Sequence, residues 1–324
     1  MDIQYCPGTL AAGHHTYSRT CLIHLFGGHK VSHILPYNSP FSKEEQDKLY
    51  MENIERISLS GVQEKFSLIL EKNKLRLIKE GEQGNYILKP QPFGVKNADQ
   101  MPANEHLTMQ VASQIFGIET AANALIFFKN DEIAYITKRF DIMDGGSKLA
   151  REDFASLAGR SPQTHGEHYK YVGNYLEVFE WMKKFLPAYP TEAPKLFRLL
   201  LFNYLFSNGD AHFKNFSILE TPMGDFRLSP AYDLLNTRLH IDDRDFALED
   251  GLLPKKLAKG KIKDLFYLLG QHAELKQPII DKIFQSMMSN VERIKALIEA
   301  SFLSERFKRT YLQDYQGRWN KLAR

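Results

Sequence analysis

The chain has 324 residues, of which 43% are hydrophobic and 25% are charged, and its formal net charge is +3. This composition is typical of a folded globular protein and excludes a disordered chain, while the small net charge gives no argument for nucleic-acid binding. No apolar run reaches the ~20 residues of a membrane span and no signal peptide is evident, so we expect a cytoplasmic protein without a membrane partner.

The N-terminal segment, residues 1–56, carries the only two cysteines, Cys6 and Cys21. Two cysteines do not support a disulfide-built fold and suit a reducing cytosol. Structural zinc requires four Cys or His ligands, and Ile3 stands where a paired cysteine would be expected. The spacing therefore favours buried free thiols and surface histidines, with zinc as the alternative. The histidines that keep this alternative open are His14, His15 and His24.

Residues 57–140 are predicted to form a β-rich lobe. Apolar positions recur at Leu107, Val111 and Ile115, which predicts one helix that ends near Gly117. Around it, short apolar runs separated by polar turns predict strands. The predicted strands are 66–71, 74–79, 84–89, 122–129 and 132–140.

Residues 141–324 are predicted to form a mostly helical lobe, which begins with a loop at 141–148. A β-rich first half followed by a helical second half predicts an α+β fold, in the order of a bilobal protein kinase. The predicted helices are 171–188, 192–207 and most of 262–320, and the predicted strands are 216–219 and 226–228.

One stretch carries most of the chemical information. Asp210 is followed five residues later by Asn215, and Asp233 lies eighteen residues further on. Phosphoryl transfer needs a carboxylate that accepts a hydroxyl proton, together with an amide and a carboxylate oxygen that hold magnesium. The spacing from Asp210 to Asn215 equals that of the kinase catalytic loop, although Asn-Gly-Asp also occurs in ordinary turns. We predict Asp210 as the base, Asn215 and Asp233 as magnesium ligands, and Lys214 as a cation that stabilises the transferred phosphoryl group.

Lys89 ends a predicted strand, and Glu105 lies on the predicted helix. Kinases orient nucleotide phosphates with such a lysine–glutamate pair. Taken singly, the two residues suit an exposed lysine at a strand end and a glutamate that helps to cap a helix. Their order along the chain, ahead of Asp210, Asn215 and Asp233, favours the kinase interpretation.

A loop ahead of the first strand contains a glycine that would let backbone N–H groups approach a phosphate. Alone, this loop suits a serine-rich surface turn at least as well. It comprises Ser60, Gly61, Val62, Gln63, Glu64 and Lys65.

Seven short motifs follow one another in the chain: Ser-x-Ser-Gly-Val-Gln-Glu-Lys, Ile-Leu-Lys-Pro, Asn-Glu-His, Lys-Arg-Phe-Asp, Arg-Glu-Asp-Phe, Asn-Gly-Asp-Ala-His-x-Lys-Asn-Phe and Pro-Ala-Tyr-Asp-Leu. In this order they resemble the HipA serine/threonine kinases, which are toxins of bacterial toxin–antitoxin systems. The resemblance runs from about Ile57 to at least Leu235.

The resemblance implies a two-lobed, kinase-related fold that binds ATP and Mg²⁺. The loop Ser60–Lys65 would cover the phosphates, and Lys89 would contact them. His212 and Tyr232 would complete the nucleotide and metal site, although a structural, hydrogen-bonding His212 is an equal alternative. The adenine hinge would consist of Lys138, Arg139 and Phe140. The family pattern has Glu at the position of Lys138, so the chain departs from the pattern at this hinge position.

Members of the family autophosphorylate a serine in the glycine-containing loop, which disables ATP binding. Ser58 matches that position and Ser60 is a second candidate, because a phosphate there would repel nucleotide. Only about 57 residues precede the loop, so the chain resembles the short form, HipT. The implied partners are a small HipS-like protein, a helix-turn-helix HipB-like antitoxin, DNA only through an antitoxin, and an aminoacyl-tRNA synthetase substrate (the glutamyl enzyme for HipA, the tryptophanyl enzyme for HipT).

Two other classes of function stay open at this point. One is a small-molecule kinase related to aminoglycoside phosphotransferases, and the other is an inactive corepressor bound to an antitoxin. The joint presence of Lys89, Asp210, Asn215 and Asp233 argues against lost catalysis. Basic residues near the C-terminus predict a solvated helical face, with a partner or antitoxin-held DNA as the alternative. These include Arg306, Lys308, Arg309, Arg318, Lys321 and Arg324.

Overall fold

The computed structural model describes residues 3–39, 64–143, 145–242 and 244–324. Contacts divide the chain into two compact units, each drawn from three stretches of sequence. The predicted boundary at residue 56 falls outside the described ranges. The first unit comprises Met1–Gln110, Ala121–Phe140 and Ala296–Lys308, and the second comprises Val111–Thr120, Asp141–Lys295 and Arg309–Arg324.

The first unit contains a five-stranded antiparallel sheet. Its strands are β1 Phe66–Glu71, β2 Lys74–Leu77, β3 Tyr86–Lys89, β4 Asn123–Phe127 and β5 Ile133–Lys138. Their order in the sheet is β2-β1-β3-β5-β4. The five strands predicted from the sequence are confirmed, with ends that differ by at most two residues. Alternate side chains such as Phe66 and Leu68 are buried in the core, as the pleat of a strand requires.

A short helix, α1 (Arg19–Phe26), packs into the same core and was not predicted from the sequence. Ser18 caps its first turn by accepting the N–H of Cys21, and Gly27 ends it in the left-handed conformation. Both cysteines are buried free thiols, as expected. Among the described residues, no three His, Cys, Asp or Glu side chains are grouped so as to hold a metal ion.

The predicted helix between the strands is present as α2 (Met101–Gln114). Leu107 and Val111 are fully buried, as the apolar spacing indicated, but so are the polar residues Glu105 and His106. A helix that is buried on several sides needs partners for its polar groups. Because Glu105 is a predicted site residue, α2 is the helix that positions it.

The second unit contains an antiparallel sheet of β6 (Arg151–Asp153), β7 (Ser217–Glu220) and β8 (Phe226–Leu228), in that order. Strand β6 was not predicted from the sequence. The α+β class is confirmed. Among the described residues, no helix is long and apolar enough to span a membrane. The other helices are α3 Phe154–Leu157, α4 Pro162–His165, α5 Tyr175–Phe185, α6 Tyr189–Leu205, α7 Ile262–His272, α8 Gln277–Met287, α9 Val291–Ala300 and α10 Glu305–Ala323.

Candidate active site

The buried helix α6 ends at Leu205, and the segment that leads to Asp210 begins two residues later, at Ser207. Ser207 has a positive φ of 54°, and its carbonyl accepts the N–H of Thr237 at 3.0 Å. The Gly209 N–H donates to Thr237 Oγ1 at 2.9 Å, and the Asn208 N–H donates to the Asn203 carbonyl at 2.8 Å. These bonds fix the backbone on both sides of Ser207, so the loop that follows starts from a rigid point.

Arg318 on α10 supports the same point. Its Nε donates to Ser207 Oγ at 3.3 Å, its guanidinium lies 4.8 Å from the Tyr204 ring centroid, and its Nη1 pairs with Asp245. The prediction of a solvated basic face is therefore wrong for Arg318, which is 1% exposed. A buried guanidinium persists in a fold only when it is paired and hydrogen-bonded, and Arg318 is both.

Asp210 is half-buried, and its Oδ1 accepts the hydroxyl of Tyr171 at 2.8 Å. Its backbone carbonyl accepts the His212 N–H at 2.8 Å, which turns the chain tightly after the carboxylate. Tyr171 was not identified from the sequence. It lies 39 positions earlier, so no local spacing links the two residues.

The structure brings Asn215 and Asp233 together, as expected from the sequence. Asn215 ends a 3-10 turn, Phe213–Asn215, and its Nδ2 donates to Asp233 Oδ2 at 3.5 Å. Asp233 has a positive φ of 56°, a conformation that is costly for most side chains but tolerated by aspartate. Such strained positions cluster at functional sites.

The oxygen atoms of this pair fit a magnesium ion. Asn215 Oδ1 accepts the His212 N–H at 3.2 Å, and an amide oxygen has a second lone pair that can bind a cation. Asp233 adds a carboxylate. Mg²⁺ binds proteins through one or two such groups and takes its other ligands from water and phosphate oxygens. Asn215 and Asp233 are therefore the residues that would hold the ion.

His212 and Tyr232 pack within the same loops. Burial, together with the nearby charge of Lys170, lowers the pKa of His212 to about 3, so its imidazole is neutral at physiological pH. The Tyr232 hydroxyl donates to the Lys214 carbonyl at 2.9 Å and bonds Ser217 Oγ at 2.5 Å. Burial raises the pKa of Tyr232 above its ordinary range. The hydroxyl of Tyr232 thus anchors the backbone beside Asn215.

In the first unit, Lys89 Nζ lies 2.6 Å from Glu105 Oε1. Their side chains are only 5% and 2% exposed, so the interpretation of Lys89 as an exposed residue at a strand end is wrong. The Lys89 ammonium also lies 5.3 Å from the Tyr135 ring centroid, opposite it on β5. The expected ion pair between β3 and α2 is present.

The other candidates of the first unit lie at the ends of strands. Lys138 ends β5, where its N–H donates to the Ala122 carbonyl, and Arg139 and Phe140 follow directly. Glu64 and Lys65 directly precede β1, and partial burial raises the pKa of Glu64. The remaining candidates of the loop lie outside the described residues: Ser58, Ser60, Gly61, Val62 and Gln63.

A family model described as the HipA-like C-terminal domain matches residues 57–295, almost three quarters of the chain. The chain belongs to this family. A Haemophilus influenzae protein named "Putative kinase" is 24% identical over 302 residues, which cover 86% of this chain and 85% of that protein. Sinorhizobium fredii "Putative kinase Y4dM" is 30% identical over 264 residues, which cover 76% of this chain but only 60% of that protein.

Solved structures of similar proteins show which fold this HipA-like chain adopts. Shewanella oneidensis HipA, from a complex with HipB and operator DNA, matches with a TM-score of 0.63 at 20% identity over 82% of this chain and 65% of that one. The Helicobacter pylori proinflammatory kinase CtkA matches with a TM-score of 0.52 at 15% identity over 78% of this chain and 92% of that one. The chain therefore has the α+β, kinase-like fold that was predicted.

Proposed function

We propose that this HipA-like chain is a serine/threonine protein kinase that uses ATP and Mg²⁺. The observation that carries the proposal is the position of Asp210 in the same short loop as Asn215, which contacts Asp233. A proton acceptor followed by two magnesium ligands is the arrangement that phosphoryl transfer requires. The kinase names of two relatives, and of one structural neighbour, support the proposal.

In the proposed reaction, the Asp210 carboxylate accepts the proton of a serine or threonine hydroxyl. The hydroxyl oxygen forms a bond to the γ-phosphorus of ATP, the bond from that phosphorus to the β–γ bridging oxygen breaks, and ADP leaves. Lys214 offsets negative charge on the transferred group. Bound at Asn215 and Asp233, Mg²⁺ supplies positive charge that neutralises the phosphate oxygens.

We assign the nucleotide contacts by the order of the family motifs. Lys89, held by Glu105, contacts the phosphates, the loop Ser60–Lys65 covers them, and Lys138–Phe140 forms the adenine hinge. His212 and Tyr232 line the same site. A hinge binds adenine mainly through backbone groups, so Lys138 in place of glutamate is compatible with nucleotide binding.

The biological role that we propose is that of a cytoplasmic toxin of the short, HipT-like form. Its partners are HipS-like and HipB-like antitoxins, and it reaches DNA only through them. The similarity to a HipA solved with HipB and operator DNA supports such partners. The proposed target, an aminoacyl-tRNA synthetase of the tryptophanyl or glutamyl type, and regulation by autophosphorylation at Ser58 or Ser60 rest on the family resemblance alone.

The decisive variant is Asp210→Asn, which keeps the shape of the side chain but removes the proton acceptor. We expect transfer of labelled phosphate from ATP into proteins of a cell extract to fall by about 100-fold or more. Asp225→Asn, the same change at an exposed turn, is the control and is expected to behave like the wild type. Full activity of Asp210→Asn would contradict the assignment. A labelled metabolite instead of a labelled protein would favour a small-molecule kinase.

A further inference from the structure

The hydrogen bond from the Tyr171 hydroxyl to Asp210 Oδ1, 2.8 Å long, joins the candidate base to a residue outside every family motif quoted above. We propose that Tyr171 is a positioning residue for Asp210: its hydroxyl holds the carboxylate through Oδ1 and so sets the orientation in which the base meets an incoming hydroxyl. This inference rests on the proposed kinase function and deepens it. It makes the orientation of the base, and not only its presence, a property of the fold.

The segment that carries Tyr171 is bonded to the catalytic loop along its backbone. The Phe213 N–H donates to the Lys170 carbonyl at 3.2 Å, and the Glu249 N–H donates to the Tyr171 carbonyl at 3.0 Å. The Asp250 N–H donates to the Gly173 carbonyl at 3.0 Å. The backbone of Tyr171 is therefore held from two sides, and its hydroxyl reaches Asp210 from a fixed origin.

Side chains hold the same segment. Arg160 donates to the Val172 carbonyl and pairs with Glu177, and its guanidinium lies 4.4 Å from the Phe213 ring centroid. Glu177 in turn accepts the backbone N–H of Asn174 at 3.0 Å. Arg160 thus contacts both the Tyr171 segment and the 3-10 turn that ends at Asn215. Movement of one segment against the other would break several of these contacts together.

The ring of Tyr171 is fixed as well. The Tyr171 ring meets the His212 ring edge to face, with the two centroids 5.1 Å apart. The Lys170 ammonium lies 5.1 Å from the centroid of the Tyr171 ring. An aromatic side chain has only two rotatable bonds, so a packed ring orients its hydroxyl at a small entropic cost.

A phenol suits the orientation of a base better than a cation does. A neutral donor contributes less to the stability of a carboxylate than an arginine or lysine does. A cation so close would favour the charged carboxylate and weaken it as a proton acceptor. Tyr171 therefore fixes the geometry of Asp210 and lowers its basicity less than a cation at the same place would. A general base needs that basicity.

The test variant is Tyr171→Phe, which removes the hydroxyl and keeps the ring that packs on His212. We expect kcat for transfer from MgATP to dephosphorylated casein to fall by roughly 10- to 100-fold, because small misplacements of a catalytic group have effects of that size. The KM for MgATP is expected to stay unchanged. Tyr169→Phe is the matched control: it lies in the same segment, and its hydroxyl has no hydrogen bond to any residue that the structure describes.

A second measurement is independent of catalysis. We expect the effects of Tyr171→Phe and Asp210→Ala on the free energy of unfolding to be non-additive in a double-mutant cycle, as they are for two residues in direct contact. Additive effects would overturn the hydrogen bond itself, whatever the activity.

The outcomes separate this inference from the function it rests on. A lower kcat at constant KM in Tyr171→Phe, with Tyr169→Phe like the wild type, supports it. Wild-type kcat in Tyr171→Phe overturns the positioning role and leaves the kinase proposal intact. A higher kcat overturns it as well, since the contact would then restrain the base. A wild-type chain that transfers no phosphate under any condition overturns the kinase proposal and this inference together.

Discussion

Lys89 and Glu105 form an ion pair that is almost completely removed from solvent. Removing two charges from water costs desolvation free energy that the attraction between them can fail to offset. A buried ion pair is therefore weak evidence for a role in stability. A role toward a third charged group, such as a nucleotide phosphate, explains its presence better. The two roles can be separated by mutation.

Glu105→Ala is expected to lower the free energy of unfolding by about 3–5 kcal/mol, because it removes the carboxylate that is paired with the buried Lys89 ammonium. The double variant Lys89→Met with Glu105→Leu should recover most of that loss of stability, as measured by urea unfolding. It should nevertheless transfer no phosphate, because it lacks the lysine proposed to contact the nucleotide. Lys183→Ala breaks an ion pair with Glu274 whose side chains are 56% and 62% exposed, and it should change stability by less than about 1 kcal/mol. Recovery of activity in the double variant would contradict the proposed phosphate contact.

His106, the neighbour of Glu105 on α2, predicts a pH dependence of stability. Burial lowers its pKa to about 4, although Nε2 lies 3.2 Å from the Gly8 carbonyl, a contact that opposes the shift. The unfolded chain, with a histidine pKa of about 6.5, binds more protons than the folded chain below that pH. The contribution of His106 to the free energy of unfolding is therefore fully present above about pH 6.5. It is lost as the pH drops toward about 4, by up to about 3 kcal/mol.

Urea unfolding at a series of pH values checks this expectation. His106→Gln, which cannot take up a proton, should flatten the slope between about pH 6.5 and 4. His272→Gln makes the same change at an exposed position and is the control. An unchanged slope in His106→Gln would show that burial of His106 does not govern acid stability.

At the scale of elements, α1 meets the N-terminal loop through Gly8. A Cβ atom at Gly8 would lie 2.1 Å from Cys21 Sγ, much closer than any real contact. The Cys6 thiol lies there too, accepting the N–H groups of Gly8 at 3.4 Å and Ser18 at 3.1 Å. Only glycine fits between the loop and the helix.

Gly8→Ala should therefore destabilise the chain by about 1–3 kcal/mol, the usual cost of overpacking a core. Combined with Cys21→Ala it should be less damaging than the sum of the two single changes, because the smaller side chain makes room. Gly317→Ala, at an exposed position of α10 with open space around the added atom, should raise stability by up to about 1 kcal/mol. Thermal unfolding distinguishes these cases, and a neutral Gly8→Ala would contradict the packing.

The sequence predicted the elements whose apolar spacing is clear and missed those that depend on tertiary contacts. The strands of the first sheet have such spacing, as has α6. In contrast, β6 consists of Arg151, Glu152 and Asp153, which have no strand character, and pairing with β7 alone makes it a strand. Helix α1 is short, and its signal is a serine cap and a terminal glycine rather than an apolar stripe.

The same limit applies to the candidate site. Asp210, Asn215 and Asp233 were identified because kinase-like spacing links them within a short stretch. Tyr171 and Arg318 were not, since 39 and 111 positions separate them from Asp210 and Ser207, their respective partners. Pairings over such distances are set by how helices and loops pack, which no local pattern contains.

For the whole molecule, nucleotide binding should appear as added stability. A ligand that binds only the folded chain at 100 times its Kd stabilises it by about 2.7 kcal/mol. An ATP analogue that cannot be hydrolysed should therefore raise the Tm in the presence of Mg²⁺, and much less after EDTA. Asp233→Asn should lose most of the magnesium-dependent part, whereas the exposed Asp264→Asn should keep it. Equal shifts with and without Mg²⁺ would contradict the proposed metal ligands.

At Asp233, whose φ is positive, the residue that suits the backbone best is not the residue that the proposed activity needs. Glycine adopts this backbone conformation freely, whereas most other residues pay on the order of 1–2 kcal/mol for it and aspartate pays less. Asp233→Gly should consequently raise the Tm of the chain and abolish phosphoryl transfer. Under the proposed toxin function, cells would tolerate this inactive variant, which could then be used to isolate the proposed binding partners.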